Sequence, residues 1–158
     1  MNWRKFREFL TDKYGVTKAF MFIGYVPENE ELYDKMHEAG YAVVLKPTFD
    51  MTRPRPEENA QPKNGEPEKK VKGNVDADLV LWAMKEIPHY DQAVIVSGDG
   101  DFFSLVEYLH SQNKLSKILP PTSQYSGLYH QFQEYIDKID DHRRELAYYD
   151  KKRPAVKN

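Results

Sequence analysis

Ala93-Val94-Ile95-Val96-Ser97-Gly98-Asp99-Gly100-Asp101-Phe102 decides how this chain is read. The first four residues form a short apolar run that suits a strand covered on both faces, as in a parallel sheet. The run passes directly into a turn with two glycines, which let the backbone bend tightly enough for Asp99 and Asp101 to converge. Phe102 to Gln112 follows as a helix with Leu105, Val106 and Leu109 inside. In open α/β sheets ligands collect at the carboxyl ends of the strands, which is where Ser97 to Asp101 sits. Clustered hard oxygen ligands suit Mg²⁺ or Mn²⁺, which in turn bind phosphate oxygens. The same Asp-Gly-Asp has a plainer use, because an aspartate in a helix's first turn caps it and favours its dipole. Both uses stay open at this point.

The surrounding elements repeat one alternation. Trp3 to Tyr14 places Trp3, Phe6 and Leu10 on one helical face and stops at Gly15. Ala19 to Tyr25 is a strand-length apolar run. A helix then starts with Pro27 in its first turn, turns Leu32, Met36 and Ala39 inward and ends at Gly40, before a second strand at Tyr41 to Leu45. Asp76 to Glu86 reads as a helix with Leu79, Trp82 and Ala83 facing the core, and its amino end carries a second acidic pair, Asp76 and Asp78. Asp76 is positioned to reach the same cation; Asp78 is the weaker ligand, assigned to a supporting role. Lys117 to Leu119 makes a fourth strand, and Ser126 to Asp140 a final helix burying Leu128, Phe132, Tyr135 or Ile136, and Ile139. Helices alternating with two-face-buried strands predict a doubly wound, mostly parallel α/β sheet.

Between residues 47 and 70 the periodicity stops and prolines and charges accumulate, which predicts a long flexible loop within a domain spanning residues 1–146. Residues 147–158 read as a basic carboxyl-terminal tail. Charged residues reach 30% while the net charge is only -2, so contact with a polyanion must come from a local patch. With no cysteine, disulfides, zinc-thiolate sites and cysteine nucleophiles are excluded. No signal-like or membrane-length apolar segment is present, so a soluble cytoplasmic protein is the expectation. None of the five histidines shows metal-ligand spacing.

Lys72-Gly73-Asn74-Val75-Asp76, the Val94 to Phe102 segment, Leu105-Val106-Glu107-Tyr108-Leu109, and Phe22 to Asn29 followed by Ala39-Gly40-Tyr41 together resemble the NYN family. These are PIN-like nuclease domains that include the bacterial LabA-like proteins, and the resemblance spans Trp3 to Leu146. It implies a PIN-like (Rossmann-like) three-layer sandwich and a metal-dependent ribonuclease in which Asp76, Asp99 and Asp101 are the catalytic, metal-holding positions. Such a site would hold the scissile phosphate on metal and activate a water. RNA is then the expected partner, with Lys72, Lys70, Arg53 and Arg55 available for its phosphates and Ser97 placed to donate a hydrogen bond that orients an aspartate from behind. A homodimer is left open. The resemblance also implies a preceding hydrophobic strand, central in the sheet, that ends in an Asp; this chain starts at the helix after it. Amino-terminal truncation, a partner chain filling the gap and an inactive form are the three accounts. A regulatory RNA-binding module that lacks one carboxylate is therefore the alternative function. An aspartyl phosphatase is the lesser rival, since the Gly-Thr expected after its Asp-x-Asp is replaced here by Phe102.

Overall fold

A computed structural model describes residues 2–47 and 75–146 of the chain. Helix α1 (Trp3–Tyr14) starts where the Asn2 side chain accepts the N–H groups of Arg4 and Lys5, satisfying donors that have no partner inside the helix. It stops at Gly15, whose φ of 67° is the left-handed conformation glycine tolerates best. Its inner face buries Phe6, Phe9 and Leu10. Strand β1 (Ala19–Gly24) pairs in parallel with β2 (Tyr41–Lys46), in register from Ala19 opposite Tyr41 to Gly24 opposite Lys46. The crossover is a 3₁₀ turn at Pro27–Asn29 that becomes α2 (Glu30–Glu38). That opening turn winds at three residues per turn rather than 3.6 and rotates the inward face by part of a turn. Tyr33 and Met36 are buried as a result, while Leu32, expected inside, is 38% exposed.

Helix α3 (Asp76–Lys85) leads to β3 (Ala93–Ile95), α4 (Phe103–Ser111) and β4 (Leu115–Ile118), and β3 pairs in parallel with β4. Strand β4 begins two residues earlier than the Lys117 expected from the sequence. The fold is α/β and built on parallel strands joined by helices, as the alternation predicts. Among the described residues, however, the strands form two separate pairs, β1-β2 and β3-β4, and not one continuous sheet. One core cluster gathers α1, α2 and β2 around Phe6, Leu10, Met36 and Tyr41; the other gathers α4, β4 and the following segment around Val106, Leu109, Ile118 and Tyr129.

The predicted final helix over Ser126 to Asp140 is overturned. Residues Gly127–Tyr135 form a 3₁₀ segment that leaves helical geometry at Phe132. Ile136 is extended and bridges Ile118 in parallel, with the Asp137 N–H donating to the Ile118 carbonyl at 3.0 Å. Pairing with the edge of β4 satisfies backbone groups that a continued helix would leave unpaired. The altered winding also exchanges neighbours: Tyr129 is fully buried and Leu128 is 52% exposed. A short 3₁₀ turn (Ile139–His142) and α5 (Arg143–Leu146) complete the described chain.

A polar clasp fastens this end to α1. The Asp137 carboxylate accepts hydrogen bonds from Lys13 Nζ at 2.6 Å and from the Tyr14 hydroxyl, and lies 2.7 Å from His142 Nε2. Burial pushes the Asp137 carboxyl up, but these bonds more than offset it and hold it well below the usual carboxylate range. Among the described residues no helix is long and apolar enough to cross a membrane. Apart from Pro47, the loop expected at 47–70 lies outside the described residues, as does the tail at 147–158.

Candidate metal centre

Asp76 is the first residue of α3, Asp99 follows β3, and Asp101 lies in the 3₁₀ turn Gly100–Phe102 that runs into α4. One carboxylate oxygen from each falls within 4.8 Å of the other two. Asp99 and Asp101 are exposed, and Asp76 is half-buried. Two helix amino ends thus meet the end of a strand at one point, although 23 residues of sequence separate Asp76 from Asp99.

The turn is braced from several sides. Asp99 Oδ1 accepts the Asp101 N–H at 2.9 Å, and Ser97 Oγ accepts the Asp99 N–H at 3.1 Å. The capping use of Asp99 left open in the sequence is therefore present. It does not compete with ligation, because an ionised carboxylate has two oxygens and about four lone-pair sites. Ser97, expected to donate to an aspartate carboxylate, instead accepts from the Asp99 backbone by the same device, so it positions the turn and not the carboxylate directly.

Neither turn glycine is explained by conformation, since Gly15 and Gly40 alone have positive φ among the described glycines. Both sit where a side chain would collide. A Cβ on Gly98 would stand 3.0 Å from Tyr125 Cβ, and one on Gly100 only 2.6 Å from Ser126 Oγ. The segment after β4 thus packs directly onto the acidic turn, with the Ser126 N–H on the Gly98 carbonyl at 2.9 Å. Beneath them Tyr129 donates its hydroxyl to the Asp99 carbonyl. Burial, followed by the charges of Asp99 and Asp101, pushes the Tyr129 hydroxyl up to about 12, so it stays protonated as a donor.

Three carboxylates, one from the start of α3 and two from the turn after β3, suit a hard divalent cation, which takes oxygen ligands and fills its remaining positions with water. The donor set fits Mg²⁺ or Mn²⁺ and offers nothing to soft metals, as no cysteine exists in the chain. Asp78 stands apart from the cluster: its Oδ2 pairs with Lys46 Nζ at 3.0 Å, tying α3 to the end of β2. Lys70, Lys72, Arg53 and Arg55 lie outside the described residues. The sequence reading missed Tyr129, Ser126 and Lys46 as supports. Lys46 had a visible signal, a lone cation ending an apolar strand opposite an acidic helix start.

The family model for the NYN domain matches residues 1–140. In shape the chain is similar to the crystal structure of a protein of unknown function from Vibrio parahaemolyticus. The two share 24% identity over 89% of this chain and 79% of that one, with a TM-score of 0.63, which speaks for the fold alone. No curated protein matches the chain. NYN domains are PIN-like nucleases that act on RNA and generally depend on divalent metal. By the extent of that match and the acidic cluster it contains, this chain belongs to the NYN domain family.

Proposed function

We propose that the chain is a metal-dependent endoribonuclease in which Asp76, Asp99 and Asp101 hold Mg²⁺ or Mn²⁺. The convergence of their three carboxylates carries the reading. When bound, the cation supplies Lewis-acid stabilisation of the phosphate and a water of lowered pKa. The residues of the chain do the rest. Asp99 is fixed at both its N–H and its carbonyl, so its carboxylate keeps its direction without a ligand. Asp101 stands where the positive end of the α4 dipole favours both a carboxylate and an arriving phosphate. Arg53, Arg55, Lys70 and Lys72 are proposed to hold RNA phosphates away from the cleaved bond.

The test compares the chain with Asp99→Asn by Mn²⁺ titration calorimetry and by cleavage of single-stranded RNA. Asparagine keeps the cap and removes the charge. The expected result is Mn²⁺-dependent cleavage by the chain, with both affinity and cleavage at least tenfold lower in the variant and an unchanged circular dichroism spectrum. Equal Mn²⁺ affinity in the two proteins would refute the site. Tight Mn²⁺ binding without cleavage would replace the nuclease by a regulatory RNA-binding module.

A further inference from the structure

The 3₁₀ segment Gly127–Tyr135 brings about three residues to each turn, so every third side chain shares a face. Tyr129 and Phe132 take the inner face and are buried, which turns Leu128 outward, 52% exposed. A lone exposed leucine is ordinary, and it is the place of this one that gives it a use. Leu128 Cδ1 lies 3.4 Å from where a Cβ on Gly100 would stand. Gly100 is flanked in the chain by Asp99 and Asp101, two of the three converging carboxylates and both exposed. The position is fixed before any ligand arrives: the Leu128 N–H donates to Ser126 Oγ at 3.3 Å, and the Ser126 N–H donates to the Gly98 carbonyl at 2.9 Å. The surface beside it is open. Gly127 has no positive φ, and among the described residues a Cβ there would meet only His130 Cε1, at 4.0 Å. Neither backbone conformation nor packing calls for that glycine, and its missing side chain leaves room next to Leu128.

We propose that Leu128 packs against the face of an unpaired nucleobase next to the phosphate held at the acidic cluster, and so selects single-stranded over duplex RNA. The inference rests on the RNA-directed reading of that cluster and adds to it a residue that senses the pairing state of the substrate. Sugar and phosphate are polar throughout, so the base faces are the surface that RNA can offer to a leucine. A base lies one sugar away from its phosphate. A phosphate on a cation at Asp99 and Asp101 therefore brings a base within reach of Leu128. In a duplex those faces are covered by their stacked neighbours, and only a base splayed out of the helix presents one. The leucine methyls make no hydrogen bond, so the contact discriminates pairing and not base identity.

The test follows the Leu128 methyl signals of the full chain by NMR with Ca²⁺, an oxygen-seeking cation without the paramagnetism of Mn²⁺. Three probes are titrated: single-stranded oligoadenylate, a ribose-phosphate polymer of the same length without bases, and an RNA duplex. A base stacked on Leu128 shifts its methyls upfield through the ring current, a signature that a merely structural leucine does not give. The expected result is that shift with oligoadenylate alone. Leu128→Ala should weaken oligoadenylate binding by about fivefold or more and leave the affinities for Ca²⁺ and for the baseless polymer unchanged. Equal shifts with the baseless polymer or the duplex would overturn the proposal, as would equal oligoadenylate affinity in the variant. Cleavage of the same oligoadenylate with Mn²⁺ is measured in parallel and reports on the nuclease reading separately. Cleavage without the Leu128 shift overturns the base contact and leaves the nuclease standing. The shift without cleavage supports the base contact and overturns the nuclease.

Discussion

Replacing Gly100 by alanine tests whether the acidic turn is held by the segment behind it. The new methyl would stand 2.6 Å from Ser126 Oγ, 3.1 Å from Ser126 Cβ and 3.4 Å from Leu128 Cδ1. Carbon contacts below 3.0 Å are not tolerated, so something must move by several tenths of an ångström. Rotating the Ser126 hydroxyl away costs its bond to the Leu128 N–H, a cap worth about 1 kcal/mol, and leaves the Cβ contact in place. Moving the turn instead displaces Asp99 and Asp101. Overpacking of this kind costs about 1–3 kcal/mol. Against it stands about 0.4–1 kcal/mol gained by restricting the unfolded chain. The net expectation is a loss of about 1–2 kcal/mol, together with weaker Mn²⁺ binding.

Ser126→Gly removes both colliding atoms and costs only a few tenths of a kcal/mol as a cap. Urea denaturation and Mn²⁺ titration of the parent, both single variants and the double variant close the cycle. The double variant should recover about 1 kcal/mol or more of the loss, along with cation affinity. A Gly100→Ala protein as stable and as Mn²⁺-competent as the parent would refute the bracing argument. So would a double variant no better than the sum of its parts.

Asp99→Ala and Asp99→Asn separate capping from ligation: alanine should lower stability by about 1 kcal/mol in urea and asparagine should not, while both weaken Mn²⁺ binding. Tyr129→Phe, which removes a buried donor from the Asp99 carbonyl, should cost about 1–2 kcal/mol and weaken Mn²⁺ binding even though no ligand is changed, as seen by denaturation and calorimetry. Asp137 titrates below its unfolded value near 3.9, so its stabilisation is complete above that pH and is lost as pH falls from about 4 toward the folded pKa. Against Asp137→Asn, the parent should therefore lead by about 1–2 kcal/mol at pH 7, allowing for the exposure of Lys13, with the lead shrinking below pH 4; a constant lead would contradict the clasp.

The sequence was most informative where apolar runs and stop signals coincide. The bounds of α1 follow from its stripe of Phe6 and Leu10 and from Gly15, and β1 and β2 are strand-length apolar runs that nothing else in the fold could use. Leu32 and Leu128 show what periodicity misses. Each follows a 3₁₀ opening whose three-residue winding shifts the inward face, and each yields its place to the adjacent tyrosine, Tyr33 or Tyr129. The last segment reads as a helix because Leu128, Phe132 and Ile139 recur at helical spacing. The open edge of β4 overrides that signal, since it offers Ile136 and Asp137 hydrogen bonds visible only once β4 is placed. Among the site residues, Asp99 and Asp101 are legible because strand and turn adjoin them in sequence. Tyr129 and Ser126 act from 25 to 30 residues away, and no local pattern marks them.

Asp76 belongs to neither half of the divided sheet, and α3 is what brings it to the others. On one side Trp82 lies against Phe20 of β1, ring centres 5.8 Å apart, and Asp78 is held by Lys46 of β2. On the other, Leu79, Val80 and Ala83 pack against the cluster of α4 and β4 that carries the Asp99 turn. The helix therefore spans the seam, and the approach of Asp76 to Asp99 and Asp101 depends on how both halves seat against it. Asp78, placed beside Asp76 by sequence, serves that seating through its ion pair. Leu79 and Trp82 fix α3 by the same surface that lines a cleft of about 1250 Å³ between the two strand pairs, and Asp76 and Ser97 line it as well. The acidic cluster and the cleft between the strand pairs are thus two parts of one seam, with α3 setting the geometry of both.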